Sequence, residues 1–131
     1  MENTGGINMP VTGNKEGLKQ EVLDKLEEIS RNTGKTVYIT DGYRDEQKDM
    51  PTKTHGQGIA ADIYIDGMNT VEISRELEKV GFTGLGQYYN NDNSMTTFAH
   101  GDLRDAETKW VHREDAQGSR KFIKWPEEPW K

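Results

Sequence analysis

The sequence predicts an α+β domain, and three observations carry that prediction. Residues 15–33 and 69–81 place apolar side chains at helical spacing. Short β-branched runs, Val37 to Thr40 and Ile63-Tyr64-Ile65, lie between them. Two further extended stretches, Gly84–Tyr89 and Met95–Asp102, flank the turn-forming run Asn90-Asn91-Asp92-Asn93-Ser94 and read as a hairpin. The resulting order is helix, strand, loop and strand, helix, hairpin.

Residues 1–14 are rich in Gly, Asn and Thr and read as an N-terminal arm, leaving 15–131 as a single domain. Leu18, Val22, Leu26 and Ile29, with Leu23 alongside, form the buried stripe of the first helix. Asn14 is its predicted N-cap and Gly34 its stop. Val37 and Ile39 then alternate with Tyr38 and Thr40, which is a strand ending at Asp41-Gly42-Tyr43-Arg44. After a polar loop comes His55-Gly56-Gln57-Gly58-Ile59-Ala60-Ala61-Asp62, running into the Ile63–Ile65 strand. Asn69-Thr70-Val71-Glu72 is a capping box that opens the second helix, with Ile73, Leu77 and Val80 buried and Gly81 ending it. Beyond Leu103 the chain is a charged tail with Trp110, Trp125 and Trp130, to which the pattern assigns little regular structure.

Composition bounds the function. The chain has 131 residues and a net charge of −6, which disfavours a nucleic-acid partner because phosphate recognition needs clustered Lys and Arg. Only 31% of residues are hydrophobic, so the core is small and a bound metal would help to hold it. With no cysteine there is neither a disulfide nor a thiolate ligand. No apolar run approaches the ~18–20 residues of a membrane span. Met1–Gly6 lacks the features of a signal peptide, so the expectation is a soluble monomer made in the cytoplasm without one.

The chemistry concentrates at His55 and Asp62. Imidazole and carboxylate are the ligands of catalytic zinc sites that use three protein groups and keep a fourth position for water. Small residues crowd between the two, which brings backbone close to the site. On the strand, Asp62 and Tyr64 face one side, and Ala61, Ile63 and Ile65 face the core. In the last strand Phe98, His100 and Asp102 share a face by the same alternation. If that strand lies beside the Asp62 strand, His100 completes a His/Asp/His triad for one metal ion. The third histidine, His112, sits in the charged tail and reads as structural or exposed.

These pieces together resemble the zinc D-Ala-D-Ala carboxypeptidases and related peptidoglycan peptidases. That superfamily includes the VanX dipeptidases, phage L-Ala-D-Glu endolysins, H-x-D type murein endopeptidases and the hedgehog domain. Asp41-Gly42-Tyr43-Arg44 is similar to the family's S-G-Y-R segment. Thr54-His55 through Asp62 fits (S/T)-H-x-x-G-x-A-x-D, and Phe98 through Arg104 fits F-x-H-x-D-x-R. Gly84–Tyr88 and Trp110 follow in family order, so the likeness spans about residues 37–110.

The resemblance implies a small antiparallel sheet carrying one zinc ion on His55, Asp62 and His100, with helices packed on the other face. It implies that Arg44 binds the scissile carbonyl oxygen or a substrate carboxylate. Many members place an acid three residues before the last ligand, or a histidine two before it, as general base. Here those positions are Thr97 and Phe98, neither of which accepts a proton at neutral pH. The acid two residues after the ligand, Asp102, becomes the expected base, with a raised pKa; its alternative role is to orient a histidine or pair with an arginine. The function implied is zinc-dependent hydrolysis of stem or crosslink peptides in bacterial cell wall, as a phage or bacterial lysin reaching the wall after release. Two other classes compete: a metal-binding module without catalysis, and a phage structural component that keeps a wall-binding cleft.

Overall fold

The computed structural model describes residues 11–42, 54–90, 92, 94–114 and 120–124. One sheet is built from β1 Val11–Gly13, β2 Val37–Asp41, β3 Ala60–Ile65, β4 Gly84–Tyr89, β5 Met95–Asp102, β6 Thr108–Glu114 and β7 Arg120–Lys124. The strands lie in the order β1-β2-β3-β5-β4-β6-β7. Two α-helices, α1 Gln20–Thr33 and α2 Thr70–Lys79, and a 3-10 turn at Thr54–Gln57 complete the described elements. The architecture is therefore α+β. Strands β2, β3, β5 and β4 are antiparallel neighbours. Parallel pairings of β1 on β2 and of β6 on β4 extend them into a mixed sheet.

Alternation along the central strands sorts the side chains onto two faces. Ile39, Ala61, Ile63, Ile65, Leu85 and Ala99 point into one core with Val22, Leu26 and Ile29 of α1 and Ile73 and Leu77 of α2. Both helices thus cover the same face, and the polar partners of those strand residues are left on the other. Burial of the apolar stripes supplies the main stabilisation, about 1.5–3 kcal/mol for each fully buried aliphatic side chain.

The helix ends follow local chemistry. In α2 the capping box is complete: Glu72 N–H donates to the Asn69 side chain at 2.9 Å, and Asn69 N–H donates to the Glu72 carboxylate at 3.0 Å. Gly34 caps α1 with φ 70°, its N–H donating to the Ser30 carbonyl at 2.8 Å. The start of α1 differs from the Asn14 cap expected. Asn14 instead accepts the Glu16 N–H at 3.1 Å in a local turn, and the helix begins only at Gln20 behind Lys19. An Asn competes for nearby backbone donors in just this way.

Two segments with weak patterns are also ordered into the sheet. Val11–Gly13, in the expected arm, pairs with β2. Residues 108–114, in the expected irregular tail, run parallel along β4, and 120–124 pair antiparallel with 108–114. That strand covers an edge the hairpin alone would leave open, and Val111 joins Val71 and Tyr89 in a second small cluster.

Candidate metal centre

Three elements converge on the face of the sheet away from α1 and α2. His55 stands on the 3-10 turn before β3, Asp62 on β3 and His100 on β5, and all three are buried. Asp62 and His100 are direct cross-strand partners, so the register of β3 and β5 alone brings them together. Gly58, with φ 75°, makes the turn that carries the chain from His55 into β3.

The hydrogen bonds set which atoms face inward. His55 Nδ1 lies 2.8 Å from the Gly42 carbonyl oxygen. A carbonyl can only accept, so Nδ1 carries the proton and Nε2 is left bare, 3.6 Å from Asp62 Oδ1. His100 uses the opposite nitrogen: its Nε2–H donates to Asp102 Oδ2 at 2.7 Å, and Nδ1 stands 2.9 Å from Asp62 Oδ1. One donor atom from each of His55, Asp62 and His100 lies within 4.8 Å of the others. Two ligand atoms ~2.0–2.1 Å from a tetrahedral zinc sit roughly 3.3–3.4 Å apart, a spacing bracketed by the 2.9 and 3.6 Å found here.

The electrostatics ask for a cation as well. Burial opposes charge on Asp62, yet the neighbouring imidazoles, His100 first and then His55, outweigh it and hold the carboxyl well below the usual carboxylate range. Burial likewise disfavours the His100 cation, but the bonds to Asp102 and Asp62 push its pKa up to about 9. The donor set fits zinc: two nitrogens, one carboxylate oxygen, and each ligating histidine fixed by a hydrogen bond at its other nitrogen.

Asp102 sits next to this group but on the far side of the His100 ring. Its side chain is fully buried, and Arg104 grips it through Nε to Oδ1 at 2.8 Å and Nη2 to Oδ2 at 2.7 Å. The Arg104 backbone N–H adds a bond to Oδ1 at 3.1 Å, and the Thr54 hydroxyl approaches Oδ2 at 3.4 Å. Burial works to raise its pKa, but the bonds from Arg104 and His100 prevail and lower it below the carboxylate range. That direction is opposite to the raised value expected of a base.

His55, Asp62 and His100 are therefore brought together as the sequence predicts. Arg44 lies outside the described residues, as do Trp125 and Trp130. Phe98 occupies the face of His100 but stacks on Tyr88 with ring centroids 4.6 Å apart. His112 is buried on β6 with its ring edge toward Tyr88, two strands from His100, roughly 10 Å at the usual strand spacing.

Other participants were given no role by the sequence pattern. The Gly42 carbonyl orients His55. Gly84 and Gly86 clear space on β4: a Cβ at Gly84 would overlap the Asp102 carboxylate, and one at Gly86 would lie 2.7 Å from the Trp110 indole. Trp110, in the expected irregular tail, lies against the site, its ring 5.1 Å from that of His100 and 4.8 Å from the Arg104 guanidinium carbon. Gly-x-Gly inside a strand is the signal that could have revealed this crowding.

An α+β sheet that gathers two buried histidines and a buried aspartate on the face away from α1 and α2 can hold a single metal ion. The family model for Peptidase M15 matches residues 2–97. The chain belongs to the peptidase M15 family, whose members are zinc-dependent metallopeptidases. No curated protein matches it. The family match stops before His100, so the third ligand is joined to the other two by strand register rather than by that match.

Proposed function

We propose that this metallopeptidase cleaves peptide bonds in the stem or crosslink peptides of bacterial peptidoglycan, as a lysin. The observation that carries the reading is the His55/Asp62/His100 group in an M15 chain whose H-x-x-G-x-A-x-D and H-x-D-x-R elements resemble the wall peptidases. Zinc held there supplies Lewis acidity and an activated water. His55 and His100 present one bare nitrogen each, and Asp62 adds the charge that balances the cation.

In this reading Asp102 orients His100 rather than taking the water's proton. Both of its oxygens are already engaged, and the imidazole stands between it and the other ligands. Asp41 is then the first acid to test as proton acceptor. Its Cα is paired with that of Asp62 across β2 and β3, at a bulge of the kind that re-aims side chains beside active sites.

Arg44, two residues beyond the Gly42 that holds His55, is proposed to stabilise the developing oxyanion. Arg44→Ala should keep zinc and the fold while turnover falls ~10²–10³-fold, the cost of one oxyanion donor. A collapse in melting temperature would point instead to a structural ion pair. The decisive experiment on substrate is digestion of purified peptidoglycan by the zinc-loaded protein, with mass spectrometry of the products. New termini within the stem or crosslink peptides are expected and would name the bond, separating carboxypeptidase from endopeptidase. Intact wall peptides alongside cleavage of unrelated peptides would overturn the substrate assignment.

A further inference from the structure

The hydrogen-bond chain at the metal centre does not end at Asp102. We propose that Arg104 and Trp110 are positioning residues that decide, through Asp102, which nitrogen of His100 faces the metal. The inference rests on the metal-site reading and is independent of the substrate.

An imidazole in a buried pocket can exchange its two nitrogens by a half-turn of the ring. What fixes it is the partner of the nitrogen that does not ligate. Here that partner is Asp102 Oδ2, and a carboxylate with one contact could itself rotate. Arg104 prevents this by holding both oxygens at once, 2.8 Å to Oδ1 and 2.7 Å to Oδ2, while its own N–H holds Oδ1 at 3.1 Å. The planar guanidinium fork matches a carboxylate in a way a lysine cannot.

A third of the Arg104 side chain is solvent-exposed, at 33%, so the grip needs a support. Trp110 provides it. Its ring lies 4.8 Å from the guanidinium carbon and 5.1 Å from the His100 ring, bridging the two ends of the His100–Asp102–Arg104 chain. The indole N–H is buried and makes no hydrogen bond among the described residues, so the ring is held there by its faces. Gly86, opposite His100 across β4 and β5 and level with Trp110 across β4 and β6, leaves the space the ring occupies.

A stabilising ion pair after β5 would have the same contacts but no influence on the metal. The test therefore reads the metal and the His100 ring directly. Arg104→Met, Arg104→Lys and Trp110→Leu are compared with wild type for zinc dissociation constant by chelator competition. The His100 tautomer is read from ring carbon and nitrogen shifts in histidine-labelled, zinc-loaded protein.

Arg104→Met is expected to weaken zinc binding ~10–100-fold and to disturb the Nε2–H signal of His100. Arg104→Lys should fall between it and wild type, and Trp110→Leu should weaken zinc severalfold. A folded Arg104→Met protein with wild-type zinc affinity and wild-type His100 shifts overturns the proposal. Should Arg104→Met fail to fold, Trp110→Leu decides by the same two readings, unchanged values overturning it. Wild-type protein that takes up no zinc would remove the metal-site reading itself. Normal uptake with unaltered variants would remove only the role given to Arg104 and Trp110.

Discussion

His100→Ala is expected to abolish zinc binding and peptidase activity together. In the metal-site reading the residue supplies one of three ligand atoms, and its ring stands between Asp62 and Asp102, 2.9 and 2.7 Å from their oxygens. Its loss leaves two ligands and an uncompensated buried carboxylate at Asp62. The metal's Lewis acidity contributes several kcal/mol to such reactions, and each 1.36 kcal/mol is tenfold, so turnover should drop by ~10³ or more. A ligand present at 100 times its dissociation constant stabilises the native state by ~2.7 kcal/mol, so the wild-type melting temperature should rise with added zinc. The variant's should not. Metal analysis after gel filtration and melting in zinc titrations check both parts, and full zinc occupancy in His100→Ala would show that the ligand set is wrong.

Asp102→Asn is expected to lower zinc affinity ~10–100-fold, and added zinc should restore much of the turnover. An asparagine preserves the shape but replaces one oxygen by a donor. If its oxygen faces His100, the new NH2 meets the Nε and backbone N–H of Arg104, which also donate. Turned the other way, it opposes the His100 Nε2–H and Arg104 Nη2. Either orientation leaves buried donors unsatisfied and the guanidinium without its counter-charge. Breaking a fully buried ion pair costs about 3–5 kcal/mol. With the Arg104 side chain 33% exposed, water recovers part of that, and a loss nearer ~2–3 kcal/mol of metal-free stability follows. Zinc titration combined with turnover at saturating zinc separates the two roles weighed for Asp102. Full occupancy with hydrolysis abolished would return it to the role of general base.

The contrast between those two roles shows where sequence reasoning stops. Alternation along a strand correctly puts His100 and Asp102 on one face, because successive side chains must point to opposite sides. It says nothing about what stands between the Asp102 carboxylate and the other two candidate ligands, His55 and Asp62. The structure puts the His100 ring there, with Arg104 on the other side of the carboxylate. Side-chain rotation and cross-strand neighbours decide that, and neither is encoded in residue spacing.

What the sequence alone determined follows from short-range physics. The two amphipathic helices, the α2 capping box, the Gly34 stop and the hairpin between Tyr89 and Met95 all depend on residues within a few positions of one another. The spacing of His55 and Asp62 on a turn and the strand after it is equally local. Only the tertiary structure decided the rest. The β3–β5 register aligns Asp62 with His100 although 38 residues separate them. The parallel strand at 108–114 brings Trp110 over Gly86, a crossover pairing with no periodic trace in the sequence. The Gly42 carbonyl, a backbone group that every residue carries, becomes specific only when folding sets it 2.8 Å from His55. Long-range pairing brings one donor atom from each of His55, Asp62 and His100 within 4.8 Å of the others, close enough to hold one metal ion.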